Sequence, residues 1–183
     1  MYRYKVIIIP GAMHMDDQLI CKLRKYSQTI LLGPRSACRD ENFNLTEVTS
    51  FFPDFDLRIM ASETFRADSP VRLENGGFFI KYRELIDTQE KVLLKTESGD
   101  PALIECGKIK YLAGWPDESC LFKILKELFK EESLSFKVMP EGVRERRSGS
   151  ETFLLNYNDF SVSFDGVFIP PAGVVAKKSK RFN

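Results

Sequence analysis

Val6-Ile7-Ile8-Ile9 and Thr29-Ile30-Leu31-Leu32 are two short apolar runs, and the second opens into Gly33-Pro34-Arg35-Ser36-Ala37-Cys38-Arg39-Asp40-Glu41-Asn42. Continuous β-branched and aliphatic runs, rather than alternating ones, mark strands covered on both faces of a parallel sheet. Between them Asp16 or Asp17 can cap a helix whose Leu19, Ile20, Leu23 and Tyr26 recur on one face. Lys22, Arg24 and Lys25 lie toward its C-terminal end, where positive charge is favoured. Only Ser27-Gln28 links this helix to the second run, so the stretch reads as strand, helix, parallel strand with a right-handed crossover. Ligands of open α/β sheets bind beyond the carboxyl ends of the strands, so the Gly33 to Asn42 loop is the first place to look for a site.

From Asn42 to Asn75 there is no sustained period, and short strands with irregular connections are expected. Phe78-Phe79-Ile80 and Lys91-Val92-Leu93-Leu94 read as short strands flanking Glu84-Leu85. After the turn Ser98-Gly99-Asp100-Pro101, the runs Ala102 to Glu105 and Ile109 to Ala113 form a hairpin across Cys106-Gly107-Lys108. Asp117 should cap a helix reaching about Glu132, with Leu121, Ile124, Leu125, Leu128 and Phe129 on its apolar face. Beyond Pro140-Glu141-Gly142, short alternating runs are divided by Ser-Gly, Asn-Asp, Asp-Gly and Pro-Pro-Ala-Gly turns. The expected division is an α/β domain over 1–139 and a small antiparallel β-domain over 140–183.

Composition narrows the function classes. With 183 residues, 43% hydrophobic, the chain can bury a substantial core. Its 27 Lys+Arg against 26 Asp+Glu, net +1, give no electrostatic case for nucleic acid or a membrane surface as partner. Lys177, Lys178, Lys180 and Arg181 read as a solvated basic tail. No apolar run approaches the ~20 residues of a membrane-spanning helix, and the start lacks the pattern of a signal peptide. Cys21, Cys38, Cys106 and Cys120 show no C-x-x-C spacing, and Cys21 and Cys120 fall in helices as small hydrophobes. Free thiols in a cytoplasmic protein are expected. With one histidine and no paired cysteines, neither a zinc site nor another metal or cofactor is expected.

Several residues invite chemistry. Cys38 as a nucleophile would need His14 as its base, and both follow strands; Arg39 beside it would favour thiolate. Its neighbours Ala37 and Arg39 are not the glycines of a nucleophile elbow. Gly33-Pro34-Arg35-Ser36 lacks the lysine and glycine spacing of a phosphate loop, so Arg35 is expected to pair with a carboxylate in a structural loop. Gly76-Gly77 reads as a turn, and Trp115 as a cover for the adjoining helix start rather than a platform for a sugar. Asp40-Glu41 and Glu131-Glu132 read as solvated surface, since no local pattern sets the fixed carboxylate separation a glycosidase needs.

The order of phrases says more than any one of them. Ile9-Pro10 is followed by Leu31-Leu32-Gly33-Pro34-Arg35-Ser36-Ala37-Cys38-Arg39-Asp40-Glu41-Asn42, then Tyr82-Arg83-Glu84-Leu85 and Gly99-Asp100-Pro101-Ala102. Gly107-Lys108-Ile109-Lys110-Tyr111-Leu112-Ala113-Gly114 precedes Trp115-Pro116-Asp117-Glu118, and Pro140-Glu141-Gly142-Val143, Phe153-Leu154-Leu155-Asn156 and Pro171-Ala172-Gly173-Val174-Val175 close the series. This succession resembles the C-terminal portion of family 42 glycoside hydrolases, the β-galactosidases. Departures are Ser27-Gln28 where the family has Gly-Gly, Ala37 where a glycine follows P-R-S, and a final domain that looks shortened.

The resemblance implies a fold class of α/β: a flavodoxin-like, class I glutamine amidotransferase-like domain, the family's trimerisation domain, without its first βα unit. A small antiparallel β-domain follows it. The family's catalytic glutamates sit in a (β/α)8 barrel to which no motif here corresponds, so no catalytic, cofactor-binding or metal residue carries over. What is expected is a non-catalytic assembly module. Its partners would be copies of itself, a trimer in the family, or a separate barrel chain, with galactosides handled only by the full enzyme. Two rivals stand beside it: a cysteine-dependent hydrolase or amidotransferase-like enzyme using Cys38, and a sugar-binding module using Trp115 or the Arg35 loop.

Overall fold

In the computed structural model, residues 4–46 and 52–178 are described. Phe51, Lys180 and Arg181 lie outside them. By contact density the chain forms two compact units, Met1–Ser135 and Phe136–Asn183.

The first unit starts as its sequence suggests. Strand β1 (Val6–Ile9), helix α1 (Asp17–Arg24) and strand β2 (Thr29–Leu32) follow one another, and the strands pair in parallel from Val6 with Thr29 to Ile9 with Leu32. Asp16 caps α1 by accepting the Leu19 N–H at 2.6 Å. Ile20 and Leu23 are its buried face, and each such side chain removed from water contributes about 1.5–3 kcal/mol. Cys21 is exposed, because it lies on the opposite side of the helix from the core. The far end is closed by a distant residue: Lys108 Nζ donates to the carbonyls of Leu23 (3.2 Å), Arg24 (2.6 Å) and Tyr26. An ammonium there satisfies carbonyls that the last helical turn leaves unpaired.

Seven further strands complete this unit: β3 (Arg58–Thr64), β4 (Val71–Arg72), β5 (Phe78–Asp87), β6 (Lys91–Lys95), β7 (Pro101–Cys106), β8 (Ile109–Leu112) and β9 (Gly114–Pro116). The main sheet runs β1-β2-β8-β7-β6. It is parallel across β1, β2 and β8, then antiparallel across β8, β7 and β6, so it is a mixed sheet. Every residue of β2 is buried, as expected of a central strand. A second sheet joins β3, β5, β4 and β9. Glu84-Leu85, expected between two short strands, lies within the single ten-residue strand β5. Helix α2 (Glu118–Glu131) buries Cys120, Ile124 and Leu128, whereas Leu121 stays 38% exposed. Its cap Asp117 accepts N–H groups from both Cys120 (3.1 Å) and Phe78 (3.0 Å), tying α2 to the start of β5.

The second unit is antiparallel. Strands β10 (Val143–Ser148), β11 (Glu151–Asn156) and β14 (Val174–Lys178) form one sheet in the order β10-β11-β14. Strands β12 (Val162–Phe164) and β13 (Val167–Ile169) make a hairpin across Asp165-Gly166, both with positive φ as an Asp-Gly turn requires. Val143, Leu154 and Ile169 are its fully buried apolar side chains, and Asn156 hydrogen-bonds the carbonyls of Phe160 and Pro170. Lys177, expected in a free tail, belongs to β14 and pairs with Asp165 at 2.8 Å; Lys178 is the last residue of that strand.

Candidate functional site

Beyond the carboxyl ends of β1 and β2 the two segments continue to pair through their loops. Gly33 N–H donates to Ile9 O, Ala37 N–H to Ala12 O, and Arg39 N–H to Met13 O, at 2.7–2.9 Å. A Cβ on Gly33 would lie 2.7 Å from the Pro10 carbonyl group, so only glycine permits this approach. Arg35 (φ 63) and Ala37 (φ 54) both adopt the left-handed region, sparsely used by residues other than glycine.

Glu84 holds this loop in place. It is 2% exposed, and its carboxylate accepts from Arg35 N–H (2.9 Å), the Tyr82 hydroxyl (3.0 Å) and the Tyr111 hydroxyl (2.7 Å). Burial pushes the Glu84 carboxyl above its usual range against the opposing pull of those three donors. Burial beside Glu84 likewise raises Tyr82 to about 12 and Tyr111 well above the ordinary phenol. The arrangement is a clasp: one carboxylate from β5 fixes a loop backbone and two tyrosines.

A cavity of about 650 Å³ opens between this loop and strands β3 and β5. Arg35, Cys38 and Arg39 line it from the loop side, and Ser62, Tyr82 and Glu84 from the strands. Among the described residues Arg35 does not pair with a carboxylate through its guanidinium, contrary to what the sequence suggests. Its backbone N–H meets Glu84, while the guanidinium lies over the Tyr82 ring, 5.7 Å from the centroid. Cys38 and His14 line different cavities: His14 faces one formed with Asp16, Asp40 and Asn42, and stacks on Phe43 at 6.2 Å. Cys38 thus shares its cavity with Glu84 rather than with the one histidine of the chain. Asp40 is spent locally, accepting from the backbone of Asn42 and Asn44 and from the Asn44 amide, bonds that hold its carboxyl below the usual range.

Trp115 rests with its six-membered ring against Gly11, 3.2 Å from where a Cβ would sit. Gly76 closes a turn at Glu74-Asn75 by donating its N–H to Leu73 O at 2.9 Å, and Gly77 lies so close to α2 that a Cβ would meet Cys120 at 2.5 Å. Arg83, another residue that sequence reasoning did not single out, bridges Glu63 (2.7 Å) and Asp100 (2.9 Å). Among the described residues no three His, Cys, Asp or Glu side chains gather as metal ligands, and no helix is long and apolar enough to cross a membrane.

No protein-family model matches the chain. Among curated proteins it is 29% identical over 168 residues to a β-galactosidase of Thermus thermophilus, covering 87% of this chain and 26% of that protein. The β-galactosidase BgaA of a Thermus species is 27% identical over the same share. Among solved structures, the β-galactosidase of the psychrophilic Marinomonas ef1 superposes with a TM-score of 0.86 at 25% identity, over 97% of this chain and 29% of that one. The chain resembles the C-terminal part of a family 42 β-galactosidase. Gan42B, a family 42 β-galactosidase from G. stearothermophilus, shares the fold over 98% of this chain and 31% of its own, with a TM-score of 0.69 at 16% identity. The small sheets and few helices described above are those of the β-galactosidase C-terminal domains. The chain spans about a quarter of the length of the curated β-galactosidases it matches.

Proposed function

We propose that this chain is a non-catalytic assembly module of the β-galactosidase type, acting through the surfaces it presents rather than through a reacting group of its own. The observation that carries this reading is the extent of the similarity: 87% of the chain aligns with 26% of the relative. The clasp supports it as well, since Glu84 is consumed in holding the Gly33 to Asn42 loop and Cys38 and His14 face different spaces. Self-association, as a trimer, is the favoured mode, and a chain carrying a catalytic barrel is the second kind of partner. Strand β1 offers a contact: it pairs with β2 on one side only among the described strands, and its Ile8 is 43% exposed. Galactoside hydrolysis would then belong to the assembled enzyme.

Residues 1–135 we place with the flavodoxin-like, amidotransferase-like domains. Support comes from the parallel β1-α1-β2 unit and the loop at its carboxyl edge, although β7 runs antiparallel to its neighbours β8 and β6. Four free cysteines favour a cytoplasmic setting. The test is hydrolysis of a nitrophenyl galactoside by the pure chain. No turnover is expected; turnover abolished by a point substitution within these residues would overturn the reading.

A further inference from the structure

We propose that the cavity beneath the Gly33 to Asn42 loop binds a small hydroxylated oxyanion, a sugar acid or sugar phosphate, through the guanidinium groups of Arg35 and Arg39. Its position is the one open α/β sheets use for ligands, beyond the carboxyl end of β2. Its volume, about 650 Å³, lies within the range of small-molecule sites.

The chemistry of the wall selects the ligand. Among the described residues neither the Arg35 nor the Arg39 guanidinium pairs with a carboxylate within 4.0 Å. Arg39 spends one N–H on the Phe43 carbonyl at 2.9 Å, and Arg35 is steadied against the Tyr82 ring. Two planar forks with donors to spare match a carboxylate or phosphate group. Among the described residues Glu84 is the one carboxylate in the wall, and its oxygens already receive three donors. Two arginines and one occupied carboxylate thus line the cavity among the described residues. Ser62 and Thr64 add hydroxyls from β3, suited to the hydroxyl groups of a ligand body.

Preorganisation strengthens the case. The backbone of Arg35 is pinned by Glu84 and that of Arg39 by Met13 O, so both side chains leave from fixed points. Left-handed backbone at Arg35 and Ala37 is kept only because these bonds over-determine it, and such strain concentrates at ligand sites. Less ordering is then left to be done on binding.

Calorimetry on the full chain tests this with glucuronate, glucose 6-phosphate, inorganic phosphate and glucose as probes. Both charged sugars should bind about tenfold or more tightly than glucose or phosphate alone, and Arg35→Ala or Arg39→Ala should each weaken them about tenfold or more. Arg66→Ala, outside the cavity, should leave binding unchanged. Thr64→Val supplies a milder variant and should weaken the sugars but not phosphate. No heat with any probe, equal binding of glucose, or full binding by the Arg35→Ala/Arg39→Ala pair would overturn the proposal. The site is independent of the assembly reading, whose failure would appear as turnover or as a monomeric particle of 21.0 kDa instead.

Discussion

Replacing Glu84 by alanine removes the acceptor for three donors at once. The Tyr111 hydroxyl, on a side chain with no exposed surface, would lose its partner at 2.7 Å without water to replace it. That loss alone costs about 1–3 kcal/mol. The Arg35 N–H and Tyr82 hydroxyl are partly accessible and recover some solvation, so each adds about 1 kcal/mol or less. Glu84→Ala should therefore destabilise by about 3 kcal/mol, and Glu84→Gln, which keeps one carbonyl acceptor, by about 1–2 kcal/mol. Urea unfolding followed by the single tryptophan reads the first unit, because Trp115 packs there against Gly11. The pH dependence has a fixed sign. A carboxyl raised above its ordinary value in the folded state contributes stability below the unfolded value, and loses it as pH climbs through the folded one. The deficit of Glu84→Gln should thus be largest near pH 4 and narrow toward neutrality. An alanine variant within about 0.5 kcal/mol of the parent, or a glutamine deficit that widens with pH, would refute the clasp.

Gly33→Ala should destabilise by about 1–3 kcal/mol, read in the same urea experiment, because its Cβ would meet backbone at Pro10 rather than a movable side chain. Asp165, bonded by Lys177 and Lys137, should titrate by NMR at about 2, and Lys177→Met should move it upward; its contribution is present at neutral pH and fades as pH falls from 3.8 through that value. Cys106, raised to about 11 by burial, and buried Cys120 should alkylate more slowly at neutral pH than exposed Cys21, as mass spectrometry of timed iodoacetamide reactions would show.

The parts of the fold that were legible are those governed by local rules. Asp16 and Asp117 cap the helices they were expected to cap, and Gly107-Lys108 closes a hairpin flanked by apolar runs. Strand direction has no such signature: nothing in the composition of Pro101–Cys106 distinguishes an antiparallel neighbour of β8 from a parallel one. Glu84 was missed for a related reason. A glutamate inside an apolar run suggests an interruption at the surface, and partners 27 and 49 residues away, together with Tyr82, make its burial tolerable. Lys108 belongs to the same class, a turn lysine whose task is to close a helix 82–85 residues earlier. Cys38 and His14, which the missing glycine-flanked elbow already argued against as a catalytic pair, line different cavities even though His14 bridges to Arg39 along the backbone.

Light scattering on the pure chain after size-exclusion chromatography tests the assembly claim most directly. The account predicts a particle mass that is a multiple of 21.0 kDa, three-fold for a trimer, or co-elution with a chain carrying a β-galactosidase barrel. A 21.0 kDa monomer that also elutes apart from such a barrel would contradict it.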